Sequence, residues 1–349
     1  MIPGNRGTVG AHMQLSIVVP VYRSARCLPE LARRVQHEVG AHFDSYELIL
    51  VNDGSPDESW EVIVQLTREY DFVIGIDLRR NVGQDNAIMA GLNVASGEVI
   101  VIMDDDLQHD PSDITTLHHR LQDGFDVVYA HFERKRQALW KNVGSWFNDR
   151  FAMMVLGKPK DIYMSPYKAL RREVVDEIIK YGGPYPYVDG LIFTVTSNIT
   201  DVPATHHSRF AGEGNYNLVR SIGVWLKLAT GFSVIPLRMV TFLGGVISLL
   251  SFLLAFYFVL ETLVLKREPS GWPSMIVAVL FIGGVQLIGI GAVGEYIGRI
   301  FMTQNHRPQF TIKAIQRRLE SRGTMRAPAS TAVGTMRGTW QGYARKRDK

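Results

Sequence analysis

The sequence holds a single cysteine, Cys27, in 349 residues. An internal disulfide is therefore excluded, and a reducing compartment suits the chain. No long apolar segment opens the sequence, so no signal peptide is expected. Residues 1–12 read as a flexible leader, with Met13 as an alternative start. Charge is missing from two stretches. Met239 to Leu260 and Met275 to Gly294 carry no Asp, Glu, Lys or Arg, and each is long enough to cross the hydrocarbon core. Two transmembrane helices are expected, joined near Glu261 to Pro273 by a short external connector holding Lys266, Arg267, Pro269 and Gly271. Core helices of a soluble domain are the competing reading, weakened by two such segments in tandem.

Lys and Arg near the ends of these segments set the orientation. Lys227, Arg238, Arg299, Arg307, Lys313, Arg317 and Arg318 flank the outer ends, against Lys266 and Arg267 in the connector, so both termini should be cytoplasmic. The net charge of +4 sits largely beside the membrane and in the tail. Attraction to anionic lipid accounts for it more simply than nucleic acid, which is not expected as a partner. Residues Ser321 to Lys349, rich in Ala, Gly, Thr, Arg and Lys, read as largely disordered.

Between about residues 13 and 235 the pattern is that of a soluble protein. Short β-branched runs (Leu15 to Pro20, Tyr46 to Val51, Phe72 to Leu78, Glu98 to Met103) alternate with segments of helical spacing (Arg26 to Val39, from Glu58, Asn86 to Ala95). That alternation implies a mostly parallel α/β sheet with ligand groups at the carboxyl ends of its strands. Three polar clusters fall there: Pro20-Val21-Tyr22, Asn52-Asp53-Gly54-Ser55, and Asp104 to Gln108. Any one could be an ordinary turn. Together they mark one rim of a nucleotide-sized cleft.

Asp104, Asp105 and Asp106 come directly after five apolar residues. If the strand geometry continues, alternation puts Asp104, Asp106 and Gln108 on one face, an oxygen-only set suited to Mg²⁺ or Mn²⁺ and diphosphate. A charged helix cap is the simpler alternative. His109 reads as solvated or as lying behind the ligands. Gly289-Ile-Gly291-Ala-Val-Gly294 satisfies G-x-G-x-x-G, but it sits inside an apolar helix, where glycines serve packing.

The stretches SIVVPVYRSARCLPEL, YELILVNDGSPDES, RRNVGQDNAIMAGLNVASGEVIVIMDDDLQHDP and IPLR…GEYIGRIF…HRPQF together resemble the inverting, GT-A-fold polyprenyl-phosphate glycosyltransferases, over about residues 13 to 315. Dolichyl-phosphate mannose synthase and bacterial undecaprenyl-phosphate glucosyl- and formamidoarabinosyl-transferases are members. The resemblance implies a GT-A-type nucleotide-sugar domain over 13–214, interfacial amphipathic helices over 215–236, two transmembrane helices over 237–302 and a basic cytoplasmic tail over 303–349. It implies Asp104, Asp105 and Asp106 as the catalytic acidic element, with Asp104, Asp106 and Gln108 on the metal. Pro20, Val21, Tyr22, Asp53, Asn81, Gly83, Gln84 and Asp104 then meet the nucleotide sugar. Lys135, Lys141 and Arg209 are the preferred acceptor-phosphate contacts, since guanidinium and ammonium groups suit a phosphate. Two departures stand out: Arg23-Ser24 replaces the usual Asn-Glu, and Asp161 to Lys168 replaces the usual Asp-x-Gly-x-x-Leu.

The expected partners are a nucleotide sugar, with UDP favoured over GDP, a polyprenyl phosphate and membrane lipid, at the bacterial cytoplasmic membrane. Homo-oligomerisation is left open. A processive polysaccharide synthase would carry Gln-x-x-Arg-Trp and more spans. A noncatalytic nucleotide-binding scaffold or lipid-translocation protein is the alternative of another class, disfavoured because it need not keep an acidic metal motif.

Overall fold

The computed structural model describes residues 13–132, 162–205, 235–265, 271–305 and 308–318. Strand β1 (Leu15–Val21) is buried along its whole length, as the β-branched run LSIVVPV requires of a strand covered on both faces. It is followed by α1 (Leu28–Glu38), β2 (Tyr46–Asn52), α2 (Ser59–Glu69), β3 (Val73–Leu78), α3 (Gln84–Val94), β4 (Val99–Ile102), α4 (Asp113–Gln122) and β5 (Val127–Phe132). Then come β6 (Lys168–Arg171), α5 (Arg172–Ile178), α6 (Val188–Val195) and β7 (Ile199–Ala204).

The strands form one sheet in the order β7-β5-β6-β4-β1-β2-β3-β8, the last being Ile312–Arg317. β1 runs parallel to β2 and β4, and β2 parallel to β3. β6 is antiparallel to β4, and β8 to β3. Alternation along the strands divides the core in two. Ile17, Val19, Leu48 and Leu50 face α1, α2 and α4, whereas Val18, Ile49, Val51 and Ile76 face α3, α5 and α6. Successive strands lie to one side of β1 until β4 returns on the other. The carboxyl ends of β1 and β4 thus flank the point where the winding reverses, where a crevice opens in such sheets.

Two long helices come next, α7 (Ile235–Leu265) and α8 (Trp272–Gln304). Among the described residues one stretch, Phe281–Gln304, is long and apolar enough to cross a membrane, while the apolar stretch of α7, Val240–Leu254, is shorter. Both helices expose large apolar side chains, Phe242 at 75% and Leu287 at 70% among them. The glycine motif lies within α8 as expected, yet packing explains only one of its members. A Cβ on Gly289 would touch Val240 at 3.5 Å, whereas those on Gly291 and Gly294 would meet nothing within 4 Å.

The chain then re-enters the sheet. β8 alternates half-buried and exposed residues along β3, and its partner register runs from Ile74 opposite Arg317 to Leu78 opposite Ile312. The sequence pattern predicts no strand in this segment.

Candidate functional site

Four loops leave the same edge of the sheet and are bonded to one another. After β1, the backbone N–H of Tyr22 donates to Oδ2 of Asp105 at 3.1 Å, across the β1/β4 reversal. After β3, the side-chain amide of Gln84 donates to Oδ1 of Asp104 at 2.9 Å. After β2, both carboxylate oxygens of Asp53 are taken by consecutive backbone donors, Val82 N–H at 2.7 Å and Gly83 N–H at 2.9 Å, while Asn81 Nδ2 donates to the Asp53 carbonyl. Gly54 permits this join. It has φ +60°, and a Cβ there would stand 2.7 Å from Asn81 N and 2.8 Å from Arg80 C. Gly83, at φ +93°, turns the chain into α3.

The acidic triplet lies beyond the strand. β4 ends at Ile102, so alternation does not place Asp104 and Asp106 on one face. The turn after it includes Leu107 at φ +61°, a left-handed conformation costly for a branched residue. Each acid has its own tie: Asp104 to Gln84, Asp105 to Tyr22, and Asp106, whose Oδ1 accepts from Gln108 N–H at 3.1 Å. Burial raises the Asp105 carboxyl above its ordinary value, against the Ser24 hydroxyl and Tyr22 N–H, and the charge of Asp106 adds to the rise.

His109 is not solvated. It is 3% exposed and stacks on Tyr167 at 4.9 Å and Phe132 at 5.4 Å between centroids, while its Nδ1 accepts from Asp104 N–H at 3.1 Å. The neutral ring with its proton on Nε2 meets that bond. Tyr167 donates its hydroxyl to the Asp110 carbonyl at 2.8 Å, so the stack holds the turn from two sides.

The predicted nucleotide residues divide. Tyr22, Asn81 and Gln84 are exposed at the rim, and Gly83 is half-buried beside them. Pro20 and Val21 are buried in the sheet, and Asp53 is 4% exposed with its oxygens engaged inward. Pro20 and Val21 thus lie in the sheet just behind the rim, and Asp53 sits one residue past the end of β2, where it fastens the β2 loop to the β3 loop. Lys135, Lys141 and Arg209, residues 215–234 of the interfacial stretch, the leader and residues 319–349 lie outside the described residues.

Sequence reasoning missed a buried polar group next to Gln84. Because β6 is antiparallel to β4, its first residue, Lys168, stands opposite Ile102 at the same rim. Lys168, 3% exposed, pairs with Asp189 at the start of α6, and Tyr129 Oη donates to the same Asp189 oxygen at 2.8 Å. Asp85 accepts from Val188 N–H at 3.1 Å. Burial pushes the Asp85 carboxyl up to about 6, Asp189 adds to the rise, and Val188 N–H and Lys168 oppose it. The four residues are scattered from 85 to 189, so no local motif announces them.

No three His, Cys, Asp or Glu side chains among the described residues form a metal cage on their own. Asp104, Asp106 and Gln108 lie on one turn and carry side-chain oxygens, the donor type that hard cations such as Mg²⁺ and Mn²⁺ take.

The model of glycosyl transferase family 2 matches residues 16–179. The undecaprenyl-phosphate 4-deoxy-4-formamido-L-arabinose transferase of Klebsiella pneumoniae (strain 342) is 32% identical over 314 residues, 88% of this chain and 95% of that protein. The transferase of the same name from Salmonella choleraesuis (strain SC-B67) is 32% identical over 308 residues, 86% of this chain and 93% of that protein. The crystal structure of glucosyl-3-phosphoglycerate synthase from Mycobacterium tuberculosis with Mn²⁺, UDP and phosphoglyceric acid superposes with a TM-score of 0.47 at 16% identity, over 63% of this chain and 77% of that one.

Proposed function

This chain belongs to glycosyl transferase family 2 and is a polyprenyl-phosphate sugar transferase, and we propose that it transfers one sugar, with inversion, from a nucleotide diphosphate sugar to undecaprenyl phosphate at the cytoplasmic face of the membrane. The observation that carries this reading is the acidic turn bonded to both neighbouring loops, Asp105 to Tyr22 and Asp104 to Gln84, across the reversal point of the sheet. A scaffold needs no such arrangement.

Tyr22, exposed at 44%, offers a ring for the base, with Asn81 and Gln84 facing the ribose and diphosphate. Asp53 serves them by fixing the Val82–Gly83 backbone. Asp104, Asp106 and Gln108 would hold a divalent ion. Such an ion supplies charge neutralisation to the departing nucleoside diphosphate.

The acceptor is a phosphate monoester with a second pKa of about 6, largely ionised at pH 7. One of its oxygens attacks the anomeric carbon as the bond from that carbon to the diphosphate oxygen breaks. A dianion requires no general base, so the protein's task is alignment and exclusion of water. Asp105, with its raised carboxyl and its Tyr22 bond, orients the turn and need not take a proton.

The exposed apolar faces of α7 and α8 support membrane insertion of both helices, with the connector outside and both termini cytoplasmic. The lipid tail then stays in the bilayer while its phosphate reaches the rim, where Lys135, Lys141 and Arg209 remain the proposed contacts. The test is incubation of the purified full chain with undecaprenyl phosphate, Mg²⁺ or Mn²⁺ and a panel of UDP- and GDP-sugars. A glycolipid from one donor is expected; donor binding without any glycolipid would sink the reading.

A further inference from the structure

We propose that Lys313, on the strand that returns after α8, is a positioning residue for the nucleotide-binding loops. Lys313 Nζ lies 2.8 Å from Oδ2 of Asp77, whose side chain is 4% exposed on β3. The other oxygen of Asp77, Oδ1, accepts from Asn52 Nδ2 at 2.8 Å. Asn52, 3% exposed, in turn accepts through its Oδ1 from Ser55 N–H at 3.2 Å. Ser55 Oγ accepts from Arg23 N–H at 3.2 Å, next to Tyr22. A chain of polar contacts thus runs from Lys313 through Asp77 and Asn52 to the loops after β2 and β1.

A second tie runs along the backbone. Arg79 N–H donates to the Thr311 carbonyl at 2.9 Å, just where the chain leaves β3 for the Asn81–Gln84 loop. The β3/β8 register shifts between Asp77 and Leu78, so the ladder bends at the residue that Lys313 pairs. Three of the rim loops, those after β1, β2 and β3, are therefore tied to a strand contributed from beyond the second apolar helix.

The physical reason to assign Lys313 this role lies in the asymmetry of the pair. Its own side chain is 59% exposed, so the attraction is screened and adds little to overall stability. Asp77 is buried, and a buried carboxylate that loses its cationic partner reorients toward the donors that remain. That reorientation alters its bond to Asn52, and the Asn52–Ser55 turn moves with it. The effect should appear in donor binding and leave the acceptor side alone.

This inference rests on the cleft being a nucleotide site, and the experiment separates the two. Binding of UDP and GDP to the purified full chain in detergent is measured for wild type, Lys313→Met and Lys313→Arg, with KM for the nucleotide sugar and for polyprenyl phosphate determined alongside. Lys313→Met is expected to weaken nucleotide binding and raise donor KM by about tenfold, below the roughly hundredfold that a full 1 Å misplacement from a distant mutation can cost. Lys313→Arg should stay near wild type, and acceptor KM should not change. Lys313→Gln is read in the same way should Lys313→Met not fold. Wild-type nucleotide affinity in the uncharged variants, or donor and acceptor KM moving in step, would overturn the role of Lys313. Absence of UDP and GDP binding by the wild type would instead overturn the nucleotide cleft itself.

Discussion

Gln84 and Asp104 meet at 2.9 Å, and this one bond ties the first residue of α3 to the acidic turn after β4. The amide donates and the carboxylate accepts, a polarity that suits a negative charge on Asp104. Gln84→Ala removes the donor and should lower kcat/KM for the nucleotide sugar about tenfold. Gln84→Glu places a like charge against Asp104 and should cost about a hundredfold. Initial rates at saturating polyprenyl phosphate check both, and equal losses would remove charge from the explanation.

Asp106→Ala should abolish metal-dependent turnover while membrane insertion stays intact. Its Oδ1 bond to Gln108 N–H shapes the turn, so Asp106→Asn, which keeps that acceptor, separates shape from charge. Both variants should be inactive in Mg²⁺ and Mn²⁺ titrations. Activity in either at wild-type level refutes the metal assignment.

The contrast between Gly54 and Gly83 gives a stability test. Alanine at position 54 meets both strain at φ +60° and backbone atoms 2.7–2.8 Å from its Cβ. It should cost about 3 kcal/mol or more, from strain and overpacking together. At position 83 the Cβ is unobstructed, so only the backbone conformation is penalised, an extended positive-φ region (φ +93°, ψ 158°) that non-glycine residues enter at a cost of about 1–3 kcal/mol. Denaturant unfolding of the two variants should rank them in that order.

His109→Phe keeps the stack on Tyr167 and Phe132 but leaves Asp104 N–H without its acceptor. An unmet buried donor costs about 1–3 kcal/mol. Donor KM should rise, because the residue that loses its anchor is Asp104. A melting temperature and donor KM both at wild-type values would show that the Nδ1 bond does not matter.

Asp85 predicts a pH dependence. Its carboxyl is raised from 3.8 to about 6. Between those values the folded chain holds a proton that the unfolded chain has released. The stability it contributes is therefore complete below about pH 4 and is lost as the pH rises through about 6, a total of about 3 kcal/mol. Asp85→Asn retains an oxygen for Val188 N–H and should flatten this limb of the melting-temperature profile. An unchanged slope between pH 4 and 6 would assign it to other groups.

The first four strands and the helices between them were legible because β-branched runs and turn residues punctuate that half of the chain. The acidic rim was legible for the same reason, since three carboxylates after an apolar run have few structural uses. Strand alternation does not explain how those acids align: β4 stops at Ile102, and the positive φ of Leu107 redirects the chain within the turn. Burial of Asp53 depended on donors some thirty positions away, at Val82 and Gly83. β8 was hidden because its sequence, IKAIQR, gives a weak alternation, with Ile315 itself 48% exposed. The Asp85, Lys168 and Asp189 group exists only once the antiparallel β6 has folded against β4.

The position of β8 at the end of the sheet also sets an order of events during synthesis. The ribosome must make α7 and α8 before residues 312–317 emerge, so β3 waits with an unpaired edge until both long helices have been synthesised. An open edge is a template for wrong pairing. Nascent chains stalled just short of Ile312 should therefore show protease-sensitive β3 loops, and release past Arg317 should protect them. Closure of that sheet edge then serves as a late checkpoint on assembly, reached only by chains whose two long helices have already been made.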